Sequence, residues 1–301
     1  MGHGSWSDES FKSYAVNSGY ATKGTKEIFK STKLAQSLDP NGVKIRESRD
    51  SKDNPEATAV ILGLDVTGSM GMLATVMAKE GLNALCKALY EKQPVSDPHI
   101  MCMGIGDLEM DQVPLQASQF EADLRILEQL ELLYLEGGGG GNHFESYTLP
   151  WYFAAEHTSI DCFEKRNKKG YLFTIGDEEP NPTLDASRLK RVLGYKPEGN
   201  ITTKELLKKV SKTYEVFHLM VEEGDYYRRH GDKVKQGWKD LLGQRAISLP
   251  DHRKMAETIV SIIQVHEGED ISKVAKAWDD KTAAIISSSI GSYNRKLDLD
   301  F

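Results

Sequence analysis

Residues 58–64, Thr-Ala-Val-Ile-Leu-Gly-Leu, form an apolar run with no charge and no alternation of polar and apolar side chains. A strand of this kind has to be covered on both faces, so it belongs in the middle of a sheet with packing layers above and below. Residues 99–105 and 171–175 read as two more buried strands. Residues 214–221 add another, and 115–120 and 245–249 give shorter ones. Helical periods lie between them. Leu73, Met77, Leu82, Leu85, Cys86 and Leu89 mark a helix over 70–92. Residues 122–135, 144–156, 184–193 and 203–214 also read as helices, and Met255, Ile259, Ile262 and Ile263 mark another. Strands alternating with helices predict an α/β, doubly wound, Rossmann-like fold with a mostly parallel central sheet flanked by helices.

The 301 residues suffice for one sizeable α/β core with extensions. We place that domain at 57–268. Residues 1–56 have few aliphatic side chains and nearly balanced charge, nine Lys/Arg against eight Asp/Glu. They are compatible with a partly disordered arm, or with an extended arm anchored by Trp6, Phe11, Tyr14, Tyr20 and Phe29. Residues 269–301 form a helical extension whose stripe of Ile271, Val274, Trp278, Ile285 and Ile286 suits packing on the core or docking another chain.

The net charge of -7 gives no basic surface for a phosphate backbone, so nucleic acid is not an expected partner. No run approaches a membrane span, and residues 1–6 lack an apolar signal core. Cys86, Cys102 and Cys162 are dispersed and odd in number, which fits small core residues in a reducing, cytoplasmic setting.

In doubly wound sheets ligands gather beyond the carboxyl ends of the strands. Three segments converge on that edge. Asp65-x-Thr67-x-Ser69 leaves the first strand, the glycine run 137–141 precedes Asn142, Glu145 and Ser146, and Asp177 ends a later strand. Hard cations such as Mg²⁺ take about six oxygen ligands, with one or two carboxylates and several waters. An Asp-x-Thr-x-Ser turn supplies one carboxylate and two hydroxyls, and Asp177 a second carboxylate. Each has a plainer alternative: Asp65 or Ser69 as a helix cap, Asp177 as a surface acid, the glycine run as a linker. Asp107 and Asp111 read as loop acids near the same rim. Eight scattered histidines, His143 included, make no zinc-ligand spacing with the cysteines.

Gly63-Leu64-Asp65-Val66-Thr67-Gly68-Ser69-Met70 resembles the first loop of the metal-ion-dependent adhesion site of von Willebrand factor A domains, in the intracellular bacterial or phage type. Residues 139–146, Gly-Gly-Gly-Asn-His-Phe-Glu-Ser, resemble the family's second loop, and Phe173-Thr174-Ile175-Gly176-Asp177-Glu178 the third. The likeness spans roughly 57–265. It implies a site for Mg²⁺ (or Mn²⁺ or Ca²⁺) formed by Asp65, Thr67, Ser69, Asn142 and Asp177, with Glu145, Ser146 and Glu178 around it. Asn142 stands near where the family has Thr, with Glu145 and Ser146 as alternative ligands. The third loop reads Gly-Asp where Asp-Gly is commoner. The likeness further implies a non-catalytic adaptor or assembly factor whose protein partner donates a carboxylate to the metal, with MoxR-type AAA+ ATPases as one partner class.

Two other functions compete. Asp65-Val66-Thr67-Gly68 partly resembles the nucleophile loop of haloacid dehalogenase-type phosphatases. Thr67 stands where those enzymes have the acid that protonates the leaving group. A structural component of a phage particle or other large assembly is the other, with the two tails supplying contacts. A nucleotide-binding P-loop ranks below both, because neither glycine segment is followed by the required Lys.

Overall fold

The computed structural model describes residues 4, 7–18, 23–135 and 144–295. Its central sheet has six strands: β1 (Thr58–Asp65), β2 (Pro98–Ile105), β3 (Leu115–Ala117), β4 (Gly170–Gly176), β5 (Tyr214–Val221) and β6 (Ala246–Leu249). Their order is β6-β5-β4-β1-β2-β3, and only β3 runs antiparallel to its neighbour. The chain is an α/β protein with a doubly wound, mostly parallel sheet.

The helices are α1 (Asp8–Ser18), α2 (Met72–Val76), α3 (Leu82–Lys92), α4 (Arg125–Leu130), α5 (Thr148–His157), α6 (Ala186–Leu193), α7 (Thr203–Val210), α8 (Asp225–Leu242), α9 (Met255–His266), α10 (Ile271–Lys276) and α11 (Asp280–Ile290), besides single turns. Side chains alternate between the faces of each strand. On β1, Val60, Leu62 and Leu64 join one core with Leu85 and Leu89 of α3, Ile259 and Ile262 of α9 and Ile286 of α11. Ala59 and Ile61 join the other, with Trp151 and Phe153 of α5, Leu206 of α7 and Trp238 of α8. This two-sided burial is why the strands carry apolar residues in succession.

The structure departs from the expected helices in four places. The 70–92 helix contains a wider π turn at Met77–Gly81. The 122–135 stretch is helical only over α4. Residues 144–156 begin as a short strand, Phe144–Glu145, before α5 starts at Thr148. α8, which the sequence pattern did not disclose, buries Tyr226, Val234, Trp238 and Leu242 on an otherwise polar helix.

Ahead of β1, Arg46–Ser48 pairs in parallel with Thr158–Ile160, and Leu38 is fully buried. Tyr14 of α1 donates to Glu131 Oε1 at 2.7 Å. After α9, Val274, Ile286 and Ile290 extend the first core, and Trp278 Nε1 donates to Ser261 Oγ at 2.9 Å. The three cysteines are buried free thiols. Among the described residues no helix is long and apolar enough to cross a membrane.

Candidate metal centre

From β1 the chain proceeds outward through β2 and β3 on one side, then returns to the other side for β4. The order therefore reverses between β1 and β4, and this gap at the carboxyl edge is the natural ligand crevice of such sheets. β1 ends in Asp65, and Leu64 lies opposite Ile175 in register, so Asp177 emerges beside Asp65. Both carboxylates are fully buried.

The first loop is folded by its own side chains. Asp65 Oδ1 accepts from the Thr67 backbone N–H at 2.9 Å and from Thr67 Oγ1 at 2.6 Å. Thr67 Oγ1 lies 3.3 Å from Ser69 Oγ, and Ser69 Oγ donates to Asp177 Oδ1 at 2.8 Å. One hydrogen-bonded chain thus joins Asp65, Thr67, Ser69 and Asp177. α2 begins after Gly71, whose φ of 48° needs no side chain, and no side chain caps that helix. Neither Asp65 nor Ser69 serves as its cap.

Asp177 is held from the far side by α8. Its Oδ2 accepts from the Tyr226 backbone N–H at 2.9 Å. A Cβ on Gly224 would lie 2.3 Å from Asp177 Cβ, so this approach requires glycine. Tyr147 was not singled out in the sequence, and it ties the three loops together. Its hydroxyl donates to Asp65 Oδ2 at 2.7 Å and accepts from the Glu178 N–H at 3.1 Å. Gly176 makes room for it: a Cβ there would meet Tyr147 Oη at 2.2 Å. Beneath, His218 stacks on Trp238 at 3.6 Å, and Trp238 Nε1 donates to the Glu178 carbonyl at 2.9 Å.

The second loop is described from Phe144 onward. Asn142 and the glycine run lie outside the described residues, as does His143. Phe144–Glu145 pairs in parallel with Glu179–Pro180, which sets Glu145 beside the third loop. Ser146 Oγ accepts from the Leu108 N–H at 2.8 Å and so faces the turn after β2. Asp107 and Asp111 of that turn, read above as loop acids, are buried, and Asp111 Oδ2 accepts from the Asp107 N–H at 2.8 Å. An adjoining cleft of about 390 Å³ is lined by Asp107, Phe144, Ser146, Asn181 and Arg188, among others.

Charge is crowded at this edge. Burial, and then the charge of Asp177, raises the pKa of Asp65. Burial also raises Asp177, against the hydrogen bonds from Ser69 and Tyr226. Glu178 is pushed up to about 8 by burial and then by Asp65 and Asp177. Glu145 is raised by burial and by Asp65, Glu178, Asp107 and Asp111. No Lys or Arg forms an ion pair with Asp65, Glu145, Asp177 or Glu178 among the described residues. Among the described residues, Glu145 Oε2 and Glu178 Oε2 are buried with no hydrogen-bond donor. Buried carboxylates in this state have to be protonated or matched by a cation. The available donors are all oxygen, which suits Mg²⁺, Mn²⁺ or Ca²⁺. The residues present fit such an ion.

Away from this edge, Glu223, Asp251 and His252 bring their ligand atoms within 4.8 Å of one another, but they already hold partners. His252 Nδ1 lies 2.7 Å from Glu223 Oε2, and Arg253 grips both oxygens of Asp251 at 2.8 Å.

No protein-family model matches the sequence, and no curated protein matches it. Among solved structures, the pilus adhesin SpaC of Lactobacillus rhamnosus GG aligns at a TM-score of 0.46 and 10% identity, over 71% of this chain and 31% of its own. Proximal thread matrix protein 1 of the mussel byssus aligns at 0.44 and 10% identity, over 69% and 47%. A von Willebrand factor type A protein from Catenulispora acidiphila aligns at 0.39 and 10% identity, over 79% and 52%. This chain spans about a third of the adhesin and about half of the other two. Likenesses this distant carry no argument about function.

Proposed function

We propose that this protein is a protein-binding module of the von Willebrand factor A type, working through a divalent cation at an adhesion-type site and without catalysis. The observation that carries the reading is the chain Asp65–Thr67–Ser69–Asp177, closed by hydrogen bonds at the reversal point of the sheet. Two carboxylates and two hydroxyls from two loops meet there, and among the described residues no Lys or Arg pairs with either acid.

Asp65, Thr67, Ser69 and Asp177 would hold Mg²⁺, Mn²⁺ or Ca²⁺, with a further ligand from the second loop, where Asn142 is the sequence's candidate. When bound, the cation supplies a Lewis-acid position that a partner's oxygen can fill. The expected donor is a partner carboxylate, and the role that of an adaptor or assembly factor. A MoxR-type AAA+ ATPase is the partner class proposed from the sequence resemblance alone. The phosphatase reading has less support. Thr67 occupies the position of the required acid, and its hydroxyl is spent on Asp65 Oδ1.

The test is affinity capture of partners with and without a chelator, with Asp65→Ala as a parallel bait. The same proteins should be lost on chelation and on substitution. Capture that ignores both would overturn the reading, and Asp65-dependent hydrolysis of an aryl phosphate would replace it with the phosphatase.

A further inference from the structure

We propose that the groove between α7 and the loop joining it to α6 docks a short acidic segment of a partner protein, with Tyr195 as the platform for an apolar side chain of that segment. The proposal does not depend on the cation-binding reading above.

The groove measures about 810 Å³ and is lined by Tyr152, Tyr195, Lys196, Glu198, Lys208 and Lys212, among others. Tyr195 is 41% exposed, and among the exposed large apolar side chains described it is the one aromatic. It is not a loose surface ring. Its Oη lies 3.0 Å from Nε2 of the buried His157 and 3.3 Å from Tyr152 Oη. His157 Nδ1 faces the Lys44 carbonyl at 3.1 Å, so in the neutral ring Nδ1 carries the proton and Nε2 accepts from Tyr195. Tyr195 Oη is then left to accept from the Tyr152 hydroxyl. The hydroxyl is anchored at the inner end, while ring area stays open to the groove. A ring whose rotamer is already fixed loses little entropy when a partner covers it, which makes anchored aromatics effective contact residues.

Charge selects the occupant. Four lysines and three glutamates line the groove. Lys209 is paired with Glu156, and Glu205 is engaged with Thr202 in the capping box of α7. Among the described residues, Lys196, Lys208 and Lys212 have no carboxylate partner, against one unpaired acid, Glu198. Lys208 and Lys212 stand four apart, a spacing at which like charges on a helix repel. A last-turn lysine complements the helix dipole, which accounts for Lys208. It does not account for Lys196 on the preceding loop or for Lys212 beyond the helix. This local positive excess stands on a chain whose net charge is -7, and it complements an acidic segment. Asn200 lines both this groove and the cleft beside the candidate centre, so the two surfaces adjoin.

The test uses the full chain in chelator and a fluorescein-labelled peptide, Glu-Glu-Phe-Glu-Glu, followed by fluorescence anisotropy at about 0.15 M salt. Binding should saturate. Lys208→Glu together with Lys212→Glu should weaken it at least about tenfold, and Tyr195→Ala about fivefold or more. A peptide with Gly in place of Phe should bind wild type correspondingly less tightly, and Tyr195→Ala should then cost nothing further. Lysines that merely complement a helix dipole would not give this coupling. All three substituted side chains are exposed, and circular dichroism checks that each variant is folded. Absence of saturable binding, equal binding by wild type and variants, or an equal effect of Tyr195→Ala on both peptides would overturn the proposal. Tighter binding of inorganic tripolyphosphate than of the peptide, lost in the lysine variant, would assign the groove to phosphate ligands and overturn it as well. With chelator present throughout, none of these outcomes bears on the cation site.

Discussion

Asp65 links three parts of the candidate centre: Thr67 on one oxygen, Tyr147 on the other, and the charge of Asp177 across the gap. Its loop was legible in the sequence because Asp-x-Thr-x-Ser is local. Its support was not, because Tyr147 lies 82 positions away and the fold alone brings it to Asp65. Tyr147→Phe removes one hydroxyl from two partners. A hydrogen bond to a charged group contributes about 1.5–3 kcal/mol. We expect Mn²⁺ affinity, followed by calorimetry, to fall about tenfold or more. Unchanged affinity would mean that the hydroxyl does not position Asp65. Gly176→Ala drives a methyl group into the seat of that hydroxyl. It should destabilise the protein by about 1–3 kcal/mol in urea unfolding, and an unchanged midpoint would show that the seat can widen freely.

α8 is the element that sequence periodicity hid. Its buried positions, Tyr226, Val234, Trp238 and Leu242, are spaced eight, four and four apart among lysines, arginines and aspartates. Too few of them fall within one window to stand out as a stripe. The strands, by contrast, were plain, because burial on both faces demands unbroken apolar runs. α8 links packing to the site through Tyr226 N–H on Asp177 and Trp238 on Glu178. Trp238→Ala empties a fully buried site and removes the ring stacked on His218. The expected cost is about 3–5 kcal/mol by urea unfolding, together with weaker Mn²⁺ binding. A loss of stability without any loss of metal affinity would show that α8 supports the core and not the centre.

At the scale of the whole molecule, the proposed function has a cation and protons competing for the same buried carboxylates. Unfolded Asp and Glu titrate at about 4, whereas burial raises Asp177, burial with repulsion from neighbouring acids raises Asp65 and Glu145, and the same two causes bring Glu178 to about 8. Between those values the folded chain holds more protons than the unfolded chain, so the slope of unfolding free energy with pH is negative. The metal-free protein should therefore lose stability as pH rises from about 4.5 toward about 8, followed by thermal melts in chelator. Asp161 acts at lower pH. Burial favours its neutral form, but Lys165, the Asp50 N–H and Arg49 bring it down to about 2. Divalent cation should restore most stability at the alkaline end, and a metal-free melting temperature that rises over this interval would contradict the account. The fold was legible from the order of strands and helices. The resemblance to three loops pointed to their meeting at one edge, but the full set of buried acids there emerged only from the packing of β2, β4 and α8. The most direct measurement is a calorimetric titration of Mg²⁺ and Mn²⁺ into wild type and Asp65→Ala, with circular dichroism to confirm that both are folded. The account predicts saturable binding by wild type that is lost in folded Asp65→Ala. Equal binding by the two, or none by wild type, would contradict it.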